Sequence, residues 1–327
     1  MAKQSGRGAG FYIAGYDLSG DVSAVNSITG GHAVKEVTAI DKSAVERMLL
    51  TRDGSMDISS WFDTAAASQH IAFKALPSTD VLATFATGTA LASAVANLMA
   101  KQVTYDLDRG EDGSLAAKTN VVGNAYGLDW GKLLTTGKQT IVTAANGTGV
   151  DLGIGEMPAA LTITANTKAN PSVVTASAAH GMATGNSVTI TGSNSTPVID
   201  GNWPITWVGA TRFSVPVDTS AGAAGTAGAI VRTSTSFGAL MYVQCFTHGS
   251  NTITIHVEHS ADNGSADAFA DVAGLTTAAL AAQSAGLVIA STSSTAIVKR
   301  YARIVTAGAF ANAIICVSLV RYPVAAG

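Results

Sequence analysis

Between Gln102 and Asp108 the chain reads Q-V-T-Y-D-L-D, an order that a helix would smear around its whole circumference. Val103, Tyr105 and Leu107 alternate with Gln102, Thr104, Asp106 and Asp108, and a period of two puts the two sets on opposite faces of a β-strand. All four polar side chains are then expected on one face. The strand is long, starting within ASAVANLMAK, and it turns at Arg109 to Gly113 to return through SLAAKTNVVG. The same alternation recurs in RMLLTRDGSMDISSWFD, where Met56 and Ile58 alternate with Ser55, Asp57 and Ser59. There Asp53-Gly54 supplies the positive backbone angles of a tight hairpin turn.

The rest of the chain is β-rich as well. FYIAGYDLSG begins with strand residues and closes on a turn cluster, and STDVLATFATG reads as a further strand. One helix is expected, at about residues 64–76. Asp63 or Thr64 caps it, Ile71, Phe73 and Leu76 form its apolar stripe, and Pro77 ends it. A Gly/Thr/Asn stretch at 135–149 reads as a linker or arm. Beyond it, short strands between Gly and Asn turns at 167–232 suffice for a small barrel, and the segments from FGALMYVQCF to CVSLVRYP read as an antiparallel sandwich.

Charge decides between function classes. Only 13% of the 327 residues are charged against 47% hydrophobic, and the net charge is −3. Sequence-reading nucleic-acid binding needs clustered Lys and Arg and is not expected. A surface past which DNA slides without sticking is compatible with this balance. The N-terminus, MAKQSGRGAG, has no apolar region of a signal peptide, and Ala307 to Val320 is too short to span a bilayer, so a soluble chain without membrane insertion is expected. Cys245 and Cys316 read as buried free thiols.

No catalytic constellation emerges, and the chain is not expected to be an enzyme or to need a cofactor. Gly6, Gly8 and Gly10 follow no strand and precede no Lys-Ser/Thr, so they read as a terminal arm. His180 reads as a structural turn histidine. His256 and Glu258 share a strand face while His259 points away, so three local ligands cannot converge and no metal is expected there. Trp203 and Trp207 suit core packing better than sugar stacking. The polar faces remain as sites: Gln102, Thr104, Asp106 and Asp108 on one strand, and Ser55, Asp57 and Ser59 on another.

YDLSGDVSAV, ERMLLTRDGSMDISSWFD and above all AKQVTYDLDRGEDGSLAAKTNVVGNAYGLDWGKLLTTGK resemble the major tail (tail-tube) proteins of long, non-contractile-tailed bacteriophages. The resemblance implies a mainly β chain. Residues 1–140 would be a tail-tube β-sandwich with one flanking helix. Residues 150–166 and 233–327 would form an Ig-like or jelly-roll-like decoration sandwich, interrupted by the small β-barrel at 167–232. It further implies six subunits closing into a ring, rings stacking into a tube in the virion, and arms or loops bridging rings. By position the bridging candidates are residues 1–10, 27–44 and 135–149, with Thr29, Gly30, Gly31, His32, Lys35 and Glu36 in the loop between early strands. Implied partners are further copies of the chain, the tape-measure, tail terminator and tail tip proteins, DNA in transit through the lumen, and host-surface glycans at the outer domains. A carbohydrate-binding fibre or adhesin is the alternative reading.

Overall fold

The computed structural model describes residues 7–75, 79–152, 161–178, 180, 182, 184, 187–232, 237–247, 252–260, 263–264, 268–280, 286–293, 296 and 298–323. They are almost entirely β, with one five-residue helix.

The first part runs β1 (Gly10–Ile13), β2 (Tyr16–Asp17), β3 (Val22–Glu36), β4 (Arg47–Trp61), α1 (Gln69–Phe73), β5 (Val81–Ala86), β6 (Ala94–Arg109), β7 (Leu115–Gly123), β8 (Asp129–Leu133), β9 (Gln139–Ile141) and β10 (Val150–Asp151). A second group follows: β11 (Leu161–Asn166), β12 (Ser172–Ala176), β13 (Ser187–Thr191), β14 (Gly201–Pro204), β15 (Thr206–Gly209), β16 (Arg212–Val215) and β17 (Ala229–Arg232). The chain ends with β18 (Phe237–Thr247), β19 (Thr254–Ser260), β20 (Ala270–Thr276), β21 (Gly286–Ser291), β22 (Tyr301–Ala307) and β23 (Ala313–Pro323).

Strand β6 organises the first part because it is long enough to serve two sheets. Its first half pairs with β5 on one side and β8 on the other, and from Ala100 onward β7 takes the place of β8. On the β8 side the sheet continues through β23 and β18 to β21; on the β7 side it continues through β4 to β3. Residues of the first 140 and of the C-terminal segment therefore share one sheet. Gln244 on β18 ties its face to β1 and β5: its amide nitrogen donates to Leu82 O and Tyr12 O, and its oxygen accepts from Gly15 N. A buried amide with all these partners orients two layers more strictly than apolar contact does.

Between β3, β4, β7, β6 and α1 lies a core of Leu18, Met56, Ile58, Phe73, Leu98 and Val121. A second sheet, β10-β22-β19-β20, packs Ile255, Val257 and Ile304 against Met241, Val243 and Val317 of the first. Strands β11 to β17 make a seven-stranded sheet whose end strands, β14 and β15, are separated only by Ile205, so it wraps almost closed around Val188, Ile190 and Phe213. This unit begins at β11, six residues ahead of the expected Thr167, because Leu161 and Ile163 pair with β17 and β12.

Four local expectations are corrected. The segment holding Asp53-Gly54 is no hairpin: Arg47–Trp61 is one strand, paired along its length with β3. Glycine is required at 54 by a neighbour, since a Cβ there would lie 2.9 Å from Leu128 Cβ. Gly30, its cross-strand partner, faces the same leucine, at 2.5 Å. The helix is shorter than expected because Ala67 adopts φ +65°, outside the right-handed helical region, and Asp63 binds Ala65 N in a turn instead of capping a helix. Leu76 and Pro77 lie outside the described residues. The 135–149 segment is no free arm: Gln139–Ile141 pairs with β23, and Asn146 bridges Val305. Finally, 27–36 is strand and not loop.

Candidate functional site

Across β3, β4, β7 and β6, side chains in register form polar rows. Ser27 stands opposite Asp57, Asp57 opposite Asn120, and Asn120 opposite Thr104. The row is bonded from end to end. Ser27 Oγ donates to Asp57 Oδ2 at 2.5 Å, Asn120 Nδ2 donates to Asp57 Oδ1 at 2.6 Å, and Asn120 N donates to Thr104 Oγ1 at 3.2 Å. These donors hold the Asp57 carboxyl below the ordinary range, Ser27 contributing most. One row along, Ser59 faces Lys118 and Lys118 faces Asp106, and Lys118 Nζ reaches diagonally to Asp108 at 3.0 Å. The two polar faces expected separately are thus one face of one four-stranded sheet.

Gln102 is the exception. The register against β7 slips between Gln102 and Thr104, leaving Val103 as the extra, exposed residue of a bulge. Gln102 consequently lies on the core side with Met56 and Val121, where its amide donates to Phe73 O at 2.8 Å. The bulge also sends Tyr105 inward, where its hydroxyl bonds His70 Nδ1 at 2.8 Å and its ring packs near Phe73. The acidic face is therefore Thr104, Asp106 and Asp108, joined by Asp57.

Both outer edges of this sheet are open among the described residues. Among the described residues β3 pairs only with β4. Strand β5 ends its pairing at Ala100, so among the described residues Gln102–Arg109 has strand partners on the β7 side alone. Unpaired edges of this length template further pairing.

Beyond the sheet, β3 and β4 continue as a two-stranded arm. Residues 29–37 and 41–53 are exposed, and the arm carries Val34, Met48, Leu49 and Leu50 in the open, with Val34 directly opposite Leu49. Of the expected bridging residues, Thr29, Gly30, Gly31 and His32 lie at the base of this arm, lining a groove of about 560 Å³ with Ser55 and Asn120. Lys35 and Glu36 lie further out, opposite Met48 and Arg47. His32 is pinned by a 2.8 Å contact of its Nδ1 with Leu50 O. Sequence reasoning missed Asn120 and Lys118, which sit in an unremarkable strand and acquire a role only through register.

Cys245 and Cys316 are free and buried, on adjacent strands but in different cores. Trp203 packs against the barrel core and donates to Ile199 O; Trp207 is half-exposed.

No family model matches this chain, and no curated protein matches it. Among solved structures it is similar to the tail of an empty GTA particle with C6 symmetry (10% identity, TM-score 0.31, 39% of this chain and 97% of that one). It is also similar to the Dit protein of SPP1, a hub of the adsorption apparatus of phages infecting Gram-positive hosts (10% identity, TM-score 0.26, 96% and 99%). A third likeness is to the phage p2 baseplate in its activated conformation (8% identity, TM-score 0.27, 94% and 97%). These likenesses are to a tail, an adsorption hub and a baseplate, and all are too distant to assign a family.

Proposed function

We propose that this chain is a structural subunit of a bacteriophage tail, closing into rings through its sheet edges and stacking into a tube through which DNA passes. The observation that carries the reading is the four-stranded sheet β3-β4-β7-β6, polar on one face and open at both edges. Its strands alternate in direction, so β6 of one copy meets β3 of the next antiparallel, and the alternation continues around a closed ring. Closure removes the edges that endanger a monomer.

The covered face supports one choice of inner face. One side of the sheet is covered by α1 and the core beneath it, so the polar side is the one able to face a lumen. For a ring of six, 24 strands spaced about 4.8 Å apart and tilted ~40° enclose a backbone circle of about 48 Å. That leaves room for a DNA duplex after the side chains are counted. Asp57, Asp106 and Asp108, repeated around the ring, repel phosphates and keep transit non-adhesive.

The β3–β4 arm reaches past the sheet and offers Val34, Leu49 and their neighbours to an adjoining ring. Tape-measure, terminator and tip proteins are the partners such a tube requires, and the second sheet and barrel would sit outside, where host glycans are met. Replacing Asp106 and Asp108 together by Lys tests the reading. Particles should assemble with normal tubes and release DNA poorly; normal release from such particles would reject the lumenal placement.

A further inference from the structure

His256 and Glu258 lie two apart on β19 and share its outer face, while Val257 between them is buried in the sandwich core. Locally they have no third ligand. The neighbouring strand supplies one, because β20 slips against β19: His256 stands opposite Thr276, yet two steps on Glu258 meets Asp271, where an unbroken ladder would bring Gly274. The slip sets Asp271 Oδ1 3.2 Å from His256 Nε2. One ligand atom from each of the three residues lies within 4.8 Å of the others.

The cluster is also oriented from behind. Arg303, the register partner of Glu258 on β22, donates both Nε (2.7 Å) and Nη2 (2.6 Å) to Glu258 Oε2, and its guanidinium rests 4.2 Å from the centre of the Phe269 ring. Both contacts fall on Oε2 and tether the Glu258 carboxylate to β22. Partners of this kind hold ligating carboxylates in place in metal sites. An ion with bonds of about 2.0–2.2 Å keeps adjacent ligand atoms roughly 3 Å apart, which the His256–Asp271 pair already satisfies.

We propose that His256, Glu258 and Asp271 bind one divalent transition-metal ion of the zinc class, clipping β20 to β19 across the slipped register. One imidazole and two carboxylates are a donor set suited to such an ion. Asp271 is 72% exposed, so the ion enters from solvent and keeps an open coordination position on the outer surface. The site is independent of the tube reading.

Calorimetric titration of the full chain with zinc chloride at pH 7.5 tests this, with histidine side-chain NMR to identify the ring involved. One saturable site is expected, with the His256 ring resonances shifting as it fills. His256→Ala and Asp271→Asn should each weaken binding by at least about tenfold, and His259→Ala should leave it unchanged. Zinc uptake equal in all variants would overturn the proposal. So would a wild-type chain that takes up no zinc and shows His256 paired only with Asp271.

Discussion

Tyr242 Oη donates to Asp129 Oδ2 at 2.6 Å, joining two strands that are 113 residues apart. Asp129 is almost wholly buried, and its other oxygen takes Arg52 Nη2 at 2.7 Å from the base of the arm. The carboxylate therefore links the arm, β8 and the C-terminal strand β18. Tyr242→Phe removes one partner of a buried charge while preserving shape, and should cost about 1–3 kcal/mol, read by urea denaturation. A loss below the error of that measurement would contradict the linkage.

Gly30 and Gly54 should resist substitution for a steric reason. A methyl at either position meets Leu128, and overpacking of this kind costs about 1–3 kcal/mol. The diagnostic experiment is the double variant. Leu128→Gly, which removes the Cβ that a methyl at 54 would meet, should relieve part of the loss caused by Gly54→Ala, a coupling measurable by thermal denaturation of the cycle. Were Asp53-Gly54 a turn, the two substitutions would simply add.

Asp57 makes a pH-dependent contribution whose direction follows from its donors. Its carboxyl is held below the ordinary range in the folded sheet. The stabilisation is thus present above the unfolded-state value, near 3.9, and fades as pH falls through the lowered one. Removing the amide donor with Asn120→Ala should raise the Asp57 titration midpoint toward the ordinary value in carboxyl NMR. An unmoved midpoint would show that the row Ser27–Asp57–Asn120 does not act as described.

The two thiols should be inert in the folded chain. Burial pushes Cys245 up to about 11 and Cys316 up to about 12, leaving almost no thiolate at neutral pH. A thiol-reactive dye should label neither in native buffer and both in denaturant. Rapid native labelling would mean that β18 or β23 opens locally.

Much of the architecture was legible because it rests on short-range pattern. Alternation located β6, and Gly113 at φ +85° closes the turn that SLAAKTNVVG was expected to follow. What failed was non-local. Asp53-Gly54 carries the same letters as a hairpin turn, and only Leu128, more than 70 residues on, explains the glycine in a continuous strand. One inserted residue, Val103, moved Gln102 to the opposite face while leaving Thr104, Asp106 and Asp108 in place. Periodicity cannot reveal a bulge that depends on the partner strand. The same holds for Asp271, brought beside His256 by a register slip.

The central claim is that the open edges of β3 and β6 close into a ring. Negative-stain electron microscopy of the purified full chain, seeded with a tail initiator complex, tests it most directly. The account predicts rings and tubes of one uniform width, with a stain-filled central channel. Particles that remain discrete monomers or trimers under those conditions would contradict it.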